Sequence, residues 1–308
     1  TAEHLRSVER DGASGDALAV TGILSGDPLS VLTVLKRANH AYYGYLGSVE
    51  SLTHAVELLT PQSVTSFLLE LSERDAGESS VVVRLLSEHA RETGRFAHRL
   101  RTGIWLFESE RQDLPGSIFT TALLHSAGRL VLASSFPDMA RTLYGDGNRE
   151  GLFVQRDWSL AERLQFGADS VEVAEYVFGK LHLPEYAAAV IRLAGRPGGG
   201  SPTPACRQQA ALIRLSSELA SAAGYGLSSS VSYLEILQDD YWRPYVDTGV
   251  VDEKTSIAVR DEFPRLRAQF DRSKPLAERE SDRASLPGSH ASRSTISSDP
   301  ARDAEQSN

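Results

Sequence analysis

Residues 79–105 read SSVVVRLLSEHARETGRFAHRLRTGIW, and their spacing decides the class of fold. Val82, Leu85, Leu86, His89, Phe96, Leu100 and Ile104 return near one stripe at the helical period, which predicts one long helix from about Ser79 to Trp105. Val81-Val82-Val83 is β-branched, yet it continues this stripe and reads as the start of the helix rather than as a strand. Residues 117–134, SIFTTALLHSAGRLVLAS, are apolar on all sides and predict a buried helix at the centre of a bundle.

Helix starts recur in both directions from this centre. Asp27-Pro28 is an N-cap followed by the residue favoured at the first helical position, with Leu32, Leu35 and Ala38 on one face behind it. Ser51 opens a helix burying Leu52, Ala55, Val56 and Leu59. Thr60-Pro61 opens the next, carrying Val64, Phe67, Leu68 and Leu71 inward. Ser159 with Glu162, and Asp169 with Glu172, have the spacing of capping boxes. The second leads a helix with Val171, Ala174, Val177, Phe178 and Leu181 inward, and Leu183-Pro184 leads one containing Ala188 and Ile191. After the Gly- and Pro-rich linker at 195–202 comes a helix whose inner face is Leu212, Leu215, Leu219 and Ala222. Strand signals are weak and no internal repeat stands out. The fold class is all-α.

Composition narrows the function. Lys and Arg total 32 against 41 Asp and Glu, a net charge of −9, so the chain has no global attraction for nucleic acid or anionic lipid. A single cysteine, Cys206, excludes an intramolecular disulfide framework and a Cys-rich zinc site. No apolar run is long enough to cross a membrane, and the N-terminus TAEHLRSVERD is charged; a cytoplasmic protein is expected. From Asp271 onward there is no Phe, Trp, Tyr or Val, so residues 271–308 are expected to be a disordered tail.

Chemistry-bearing residues are sparse. Gly145-Asp146-Gly147 and Gly198-Gly199-Gly200 lack the strand and the Lys-Ser or Lys-Thr of a phosphate loop and read as turns. Arg84, Arg91, Arg95 and Arg99 make one helix face basic, either a solvated face or a site for an anion or acidic partner. Tyr42, Tyr43 and Tyr45 form an aromatic connector that reads as packing or as a partner surface. Tyr241 and Trp242, among the added aromatics of residues 226–270, read as a bundle cap or an interface. His89 and His125 lie on buried faces, where an imidazole is either a hydrogen-bonded core residue or a metal ligand.

Several stretches resemble a known family. The run His125-Ser126-Ala127-Gly128-Arg129-Leu130-Val131-Leu132, after Ala122-Leu123-Leu124, resembles the metal-binding helix of the HD phosphohydrolase superfamily. More specific are Asp27-Pro28-Leu29 with Leu35-Lys36-Arg37-Ala38-Asn39-His40-Ala41-Tyr42-Tyr43-Gly44, the segment 48–59 (SVESLTHAVELL), and Phe166-Gly167-Ala168-Asp169 leading to Leu183-Pro184-Glu185. Together they resemble the HD-related output domain, HDOD, from about residue 1 to 195.

That resemblance implies an N-terminal helical subdomain, 1–76, packed on a degenerate HD-like bundle, 77–225, with additional helices at 226–270 before the tail. It matches His89 to the upstream histidine ligand of HD enzymes and His125 to the histidine of their His-Asp doublet, places Ser126 where those enzymes carry the metal-bridging Asp, and places Ser170 at a later His position. Leu193-Ala194-Gly195 replaces a further His cluster. The resemblance therefore implies a non-enzymatic bacterial signal-transduction module with no metal and no cofactor, acting on protein partners. A rearranged phosphohydrolase, or a sensor holding a cyclic di-nucleotide or other nucleotide in the vestigial cavity, is the alternative.

Overall fold

The computed structural model describes residues 1–10, 12, 15–40, 49–74, 80–103, 116–146, 158–183, 185–196, 203–226 and 231–273. The connector holding Tyr42, Tyr43 and Tyr45, most of the linker at 195–202 and residues 274–308 of the expected tail lie outside them. Among the described residues there are helices and no strands, as the periodicity requires. Residues 1–270 form one compact unit; of the second, 271–308, only the last helical residues are described.

Five helices come first: α1 (Ala2–Arg10), α2 (Ala17–Leu24), α3 (Pro28–Ala38), α4 (Leu52–Leu59) and α5 (Pro61–Arg74). Asp27 caps α3 as expected, its carboxylate accepting from the amides of Leu29 and Ser30, and Ser51 caps α4 through the amide of His54. Asn39 ties the end of α3 to Val49. Its amide donates to the carbonyls of Leu35 (3.0 Å) and Val49 (2.9 Å), and its carbonyl accepts from the Val49 amide at 2.6 Å. On α5, Val64, Phe67 and Leu68 are buried as expected, but Leu71 is exposed and Leu69 is buried beside them.

The long helix α6 (Val81–Thr102) begins at a Ser80 cap and ends at Gly103 in the left-handed conformation. The apolar segment after it is not one helix. It comprises α7 (Gly116–Leu123), a 3-10 turn (Leu124–Ser126) and α8 (Ala127–Ser135), so His125 sits at a break. Next come α9 (Pro137–Ala140), a π-type turn (Arg141–Asp146), α10 (Ser159–Phe166), α11 (Ser170–Lys180) and α12 (Glu185–Gly195). The chain then forms α13 (Pro204–Ala222), α14 (Tyr233–Ile236), α15 (Asp239–Asp247) and α16 (Glu253–Ser273).

Apolar burial gathers these helices into three clusters. One joins α2–α5 to Ala90 of α6, Phe119 and Leu123 of α7 and Phe178 of α11, so the N-terminal helices share their core with the bundle. A second joins Phe96 and Leu100 of α6 to the inner face of α13 and to Ile236, Trp242, Val259 and Phe263 of the last three helices. A smaller third joins Val82 and Leu86 of α6 to Leu130, Tyr144 and Trp158. The residues after 225 therefore complete a core instead of decorating a finished one. Trp242, expected as a candidate interface residue, is only 2% exposed and donates its indole N–H to the Ile236 carbonyl at 2.7 Å; it is core. No described helix is long and apolar enough to cross a membrane.

Candidate functional site

The two histidines singled out by the sequence do meet. His89, midway along α6, and His125, on the 3-10 turn, pack edge to face with ring centroids 5.3 Å apart. Two close approaches hold this arrangement. A Cβ at Gly128 would lie 1.7 Å from the Ser170 carbonyl oxygen, so only glycine lets the start of α8 press on the start of α11. Gly226, at φ +115°, lays the backbone over the His89 ring.

Each imidazole is satisfied by this chain. His89 Nδ1 lies 3.1 Å from the Tyr225 carbonyl and Nε2 lies 3.0 Å from Ser217 Oγ. His125 Nδ1 lies 2.6 Å from the Ala122 carbonyl and Nε2 lies 3.0 Å from Ser126 Oγ. A carbonyl only accepts, so both Nδ1 atoms carry the proton and both Nε2 atoms accept from serine. Burial lowers both pKa values, to about 4 for His89 and about 3 for His125. The neighbouring His89 ring adds to the effect on His125, and the Arg129 cation adds to both.

The charged residues nearby are tied to one another. Glu162, fully buried, accepts from Arg129 Nε at 2.7 Å, from the Tyr144 hydroxyl at 3.0 Å and from the Ser170 amide at 2.7 Å. It does not form the capping box expected with Ser159, whose hydroxyl donates instead to Asp169 at 2.7 Å. The second expected capping box, Asp169 with Glu172, is present. Asp169 also pairs with Arg163 (2.8 Å) and with Arg196. Burial raises the Asp169 pKa, but these hydrogen bonds outweigh it and hold the carboxyl below the usual range. Burial, reinforced by the Glu162 charge, raises the Tyr144 pKa.

His89, His125, Arg129, Glu162, Asp169 and Arg196 line a cavity of about 810 Å³ bounded by α6, the 3-10 turn, α8 and α10–α13, with α14 and α15 on its far side. There the Tyr241 and Tyr245 hydroxyls both donate to Glu218 Oε2, at 2.8 and 2.9 Å. Ser126 and Ser170 both line the cavity, at the positions the sequence marked. The basic face of α6 is partly neutralised, since Arg91 and Arg95 both pair with Glu92.

A divalent ion does not fit this donor set. Among the described residues no group of three His, Cys, Asp or Glu side chains converges. The two imidazoles spend Nδ1 on carbonyls and Nε2 on hydroxyls, and the nearest carboxylates are consumed by arginines. Sequence reading missed Arg129, Glu162, Tyr144, Ser217 and Glu218. Arg129 stood within the quoted motif, but its partner lies 33 residues on, at a position read as a cap.

The family model of the HDOD domain matches residues 6–197. Among solved structures, the response regulator MmoQ from Methylococcus capsulatus aligns at TM-score 0.62 and 18% identity, covering 87% of this chain and 96% of its own. A virulence factor from Campylobacter jejuni aligns at TM-score 0.62 and 13% identity, covering 89% and 92%. Both likenesses extend beyond residue 197 into the C-terminal helices. No curated protein matches the chain.

Proposed function

The chain belongs to the HDOD domain family, and from that premise we propose that it is a non-enzymatic bacterial signalling module that works through contacts with protein partners. The observation that carries this reading is the state of the two imidazoles. Hydrolysis of a phosphate ester by an HD-type centre requires a metal-activated water, and therefore a cluster of free nitrogen and carboxylate ligands. Here each ring is closed by its own carbonyl and serine, while Glu162 and Asp169 are neutralised by Arg129, Arg163 and Arg196. The role of MmoQ as a response regulator supports the signalling assignment.

The test uses the purified full chain. Elemental analysis for Fe, Mn, Zn and Mg is expected to find less than one ion per chain, and turnover of bis-p-nitrophenyl phosphate is expected to equal that of His125→Ala. A protein partner is expected to copurify at fixed stoichiometry from the native host. A stoichiometric metal with turnover that His125→Ala abolishes would sink the proposal.

A further inference from the structure

The helix α13 has two faces. Leu212, Leu215 and Leu219 pack into the second apolar cluster, while Arg214, Ser217, Glu218 and Ser221, also at helical spacing, line the cavity. The charges on the cavity wall do not balance. On the histidine side Arg129 pairs with Glu162 and reaches the Tyr144 hydroxyl oxygen, and Arg196 pairs with Asp169, so cation and anion cancel there. Among the described residues the far side carries three carboxylates, Glu218, Glu235 and Asp240, against Arg214, a residual charge of −2. Arg214 is exposed and forms no ion pair among the described residues. Asp240 pairs at 3.6 Å with Arg243, which does not line the cavity; both side chains are exposed, and such a surface pair holds weakly.

The three carboxylates stand on three helices, α13, α14 and α15, and among the described residues no three metal-ligating side chains converge. A compact divalent ion needs convergent ligands; a cation whose charges are set apart does not. Glu218 is fixed in place, because the Tyr241 and Tyr245 hydroxyls both donate to its Oε2, and its Oε1 is left as an acceptor. The two rings, 5.8 Å apart, line the cavity beside it, together with the apolar side chains of Ile213, Val231 and Pro244. A carboxylate flanked by aromatic rings attracts an ammonium or guanidinium group. The cavity volume of about 810 Å³ falls within the range of roughly 300–1,000 Å³ typical of small-molecule sites.

We propose that the far side of this cavity binds an aliphatic diamine or its guanidino analogue, a dication with methylene groups between its charges. One cationic head donates to Glu218 Oε1 beside the two tyrosine rings, and the methylenes lie along Ile213, Val231 and Pro244. The second head sits at Asp240 and Glu235. The two positive charges match the residual charge of the wall, and the apolar strip between the carboxylates matches the methylene chain. This small-molecule input goes beyond the protein-contact reading and does not depend on it.

Titration calorimetry on the full chain tests the proposal with 1,4-diaminobutane, 1,5-diaminopentane and agmatine as probes, and with butylamine and magnesium chloride for comparison. Salt at about 0.15 M screens the general attraction of a chain of net charge −9 for any cation. At least one dication is expected to bind saturably and about tenfold or more tighter than butylamine. Glu218→Gln keeps an oxygen for the two tyrosine hydroxyls but loses the charge, and is expected to weaken binding about tenfold or more. Arg214→Ala removes the opposing cation and is expected to tighten binding by several-fold. Asp138→Asn, an exposed acid outside the cavity, is expected to change nothing. Unchanged melting curves show that each variant keeps its fold. Flat heats for every probe would overturn the proposal. So would binding undiminished in Glu218→Gln, equal weakening by Asp138→Asn, or magnesium binding as tightly as the diamines. Those results would leave the signalling proposal standing, because it is read from turnover and copurification instead.

Discussion

Acidification from pH 7.5 to 5 is expected to destabilise this protein through two side chains. An unfolded histidine titrates near 6.5, whereas His89 and His125 are held to about 4 and about 3 in the folded chain, chiefly by burial. A depressed native value means that the folded state resists a proton the unfolded state accepts. The contribution is therefore complete above pH 6.5 and is lost as pH falls from 6.5 toward 4. At about 1.4 kcal/mol per pH unit per group, the loss by pH 5 is about 2 kcal/mol for each ring and about 4 for the pair.

Few other groups interfere in that window. Asp169 has its pKa held below the usual carboxylate range, so its contribution is lost only below about pH 4. His98, lowered by burial, adds in the same direction as the pair. Urea unfolding followed by circular dichroism at pH 7.5 and 5 measures the loss. The double variant His89→Asn/His125→Asn, which can keep an N–H toward each carbonyl, is expected to lose most of the pH dependence. Equal losses in wild type and variant would refute the reasoning.

Four further outcomes are expected. Gly128→Ala drives a methyl group into the Ser170 carbonyl, 1.7 Å away, and should cost at least about 3 kcal/mol in urea unfolding. Glu162→Gln leaves Arg129 without its counter-charge and faces an amide N–H toward Ser170. A loss of about 2–4 kcal/mol is expected in the same assay, below the fully buried case because Arg129 borders the cavity. Asp169→Ala removes a helix cap together with the ion pairs to Arg163 and Arg196; a fall of at least about 1–2 kcal/mol in urea unfolding at neutral pH checks it. Deleting residues 226–308 strips Ile236, Trp242, Val259 and Phe263 from the second cluster, and the shortened chain is expected to aggregate on purification, as read by light scattering.

Local signals in the sequence translated well where one residue decides the outcome alone. Asp27, Ser51 and Asp169 cap helices because a short polar side chain reaches amides two or three residues on, a geometry contained in the sequence itself. The inner face of α13 was legible for the same reason, since Leu212, Leu215 and Leu219 are fixed by period alone. Readings failed where the outcome depended on a distant segment. Ser159 and Glu162 have the right spacing for a box, but Glu162 is captured by Arg129 and Tyr144 and Ser159 by Asp169. The helix break at His125 depends on the Ala122 carbonyl and on α11 pressing against Gly128, neither of which has a period. Of the site, His89, His125, Ser126 and Ser170 were found from the family motif. The arginine and glutamates around them were not, because ion pairs between helices leave no regular spacing.

All three apolar clusters contain residues of α6: Val82 and Leu86 in the smallest, Ala90 in the one shared with the N-terminal helices, and Phe96, Ala97 and Leu100 in the one closed by the C-terminal helices. At 1.5 Å per residue this 22-residue rod spans about 33 Å. It serves as a common axle. His89 is mounted between the sets of packing residues, so a ligand or partner that shifts the rod by a fraction of a turn at one end must repack the other end and the imidazole seat together. Melting should accordingly occur in one step for residues 1–270, with no surviving half.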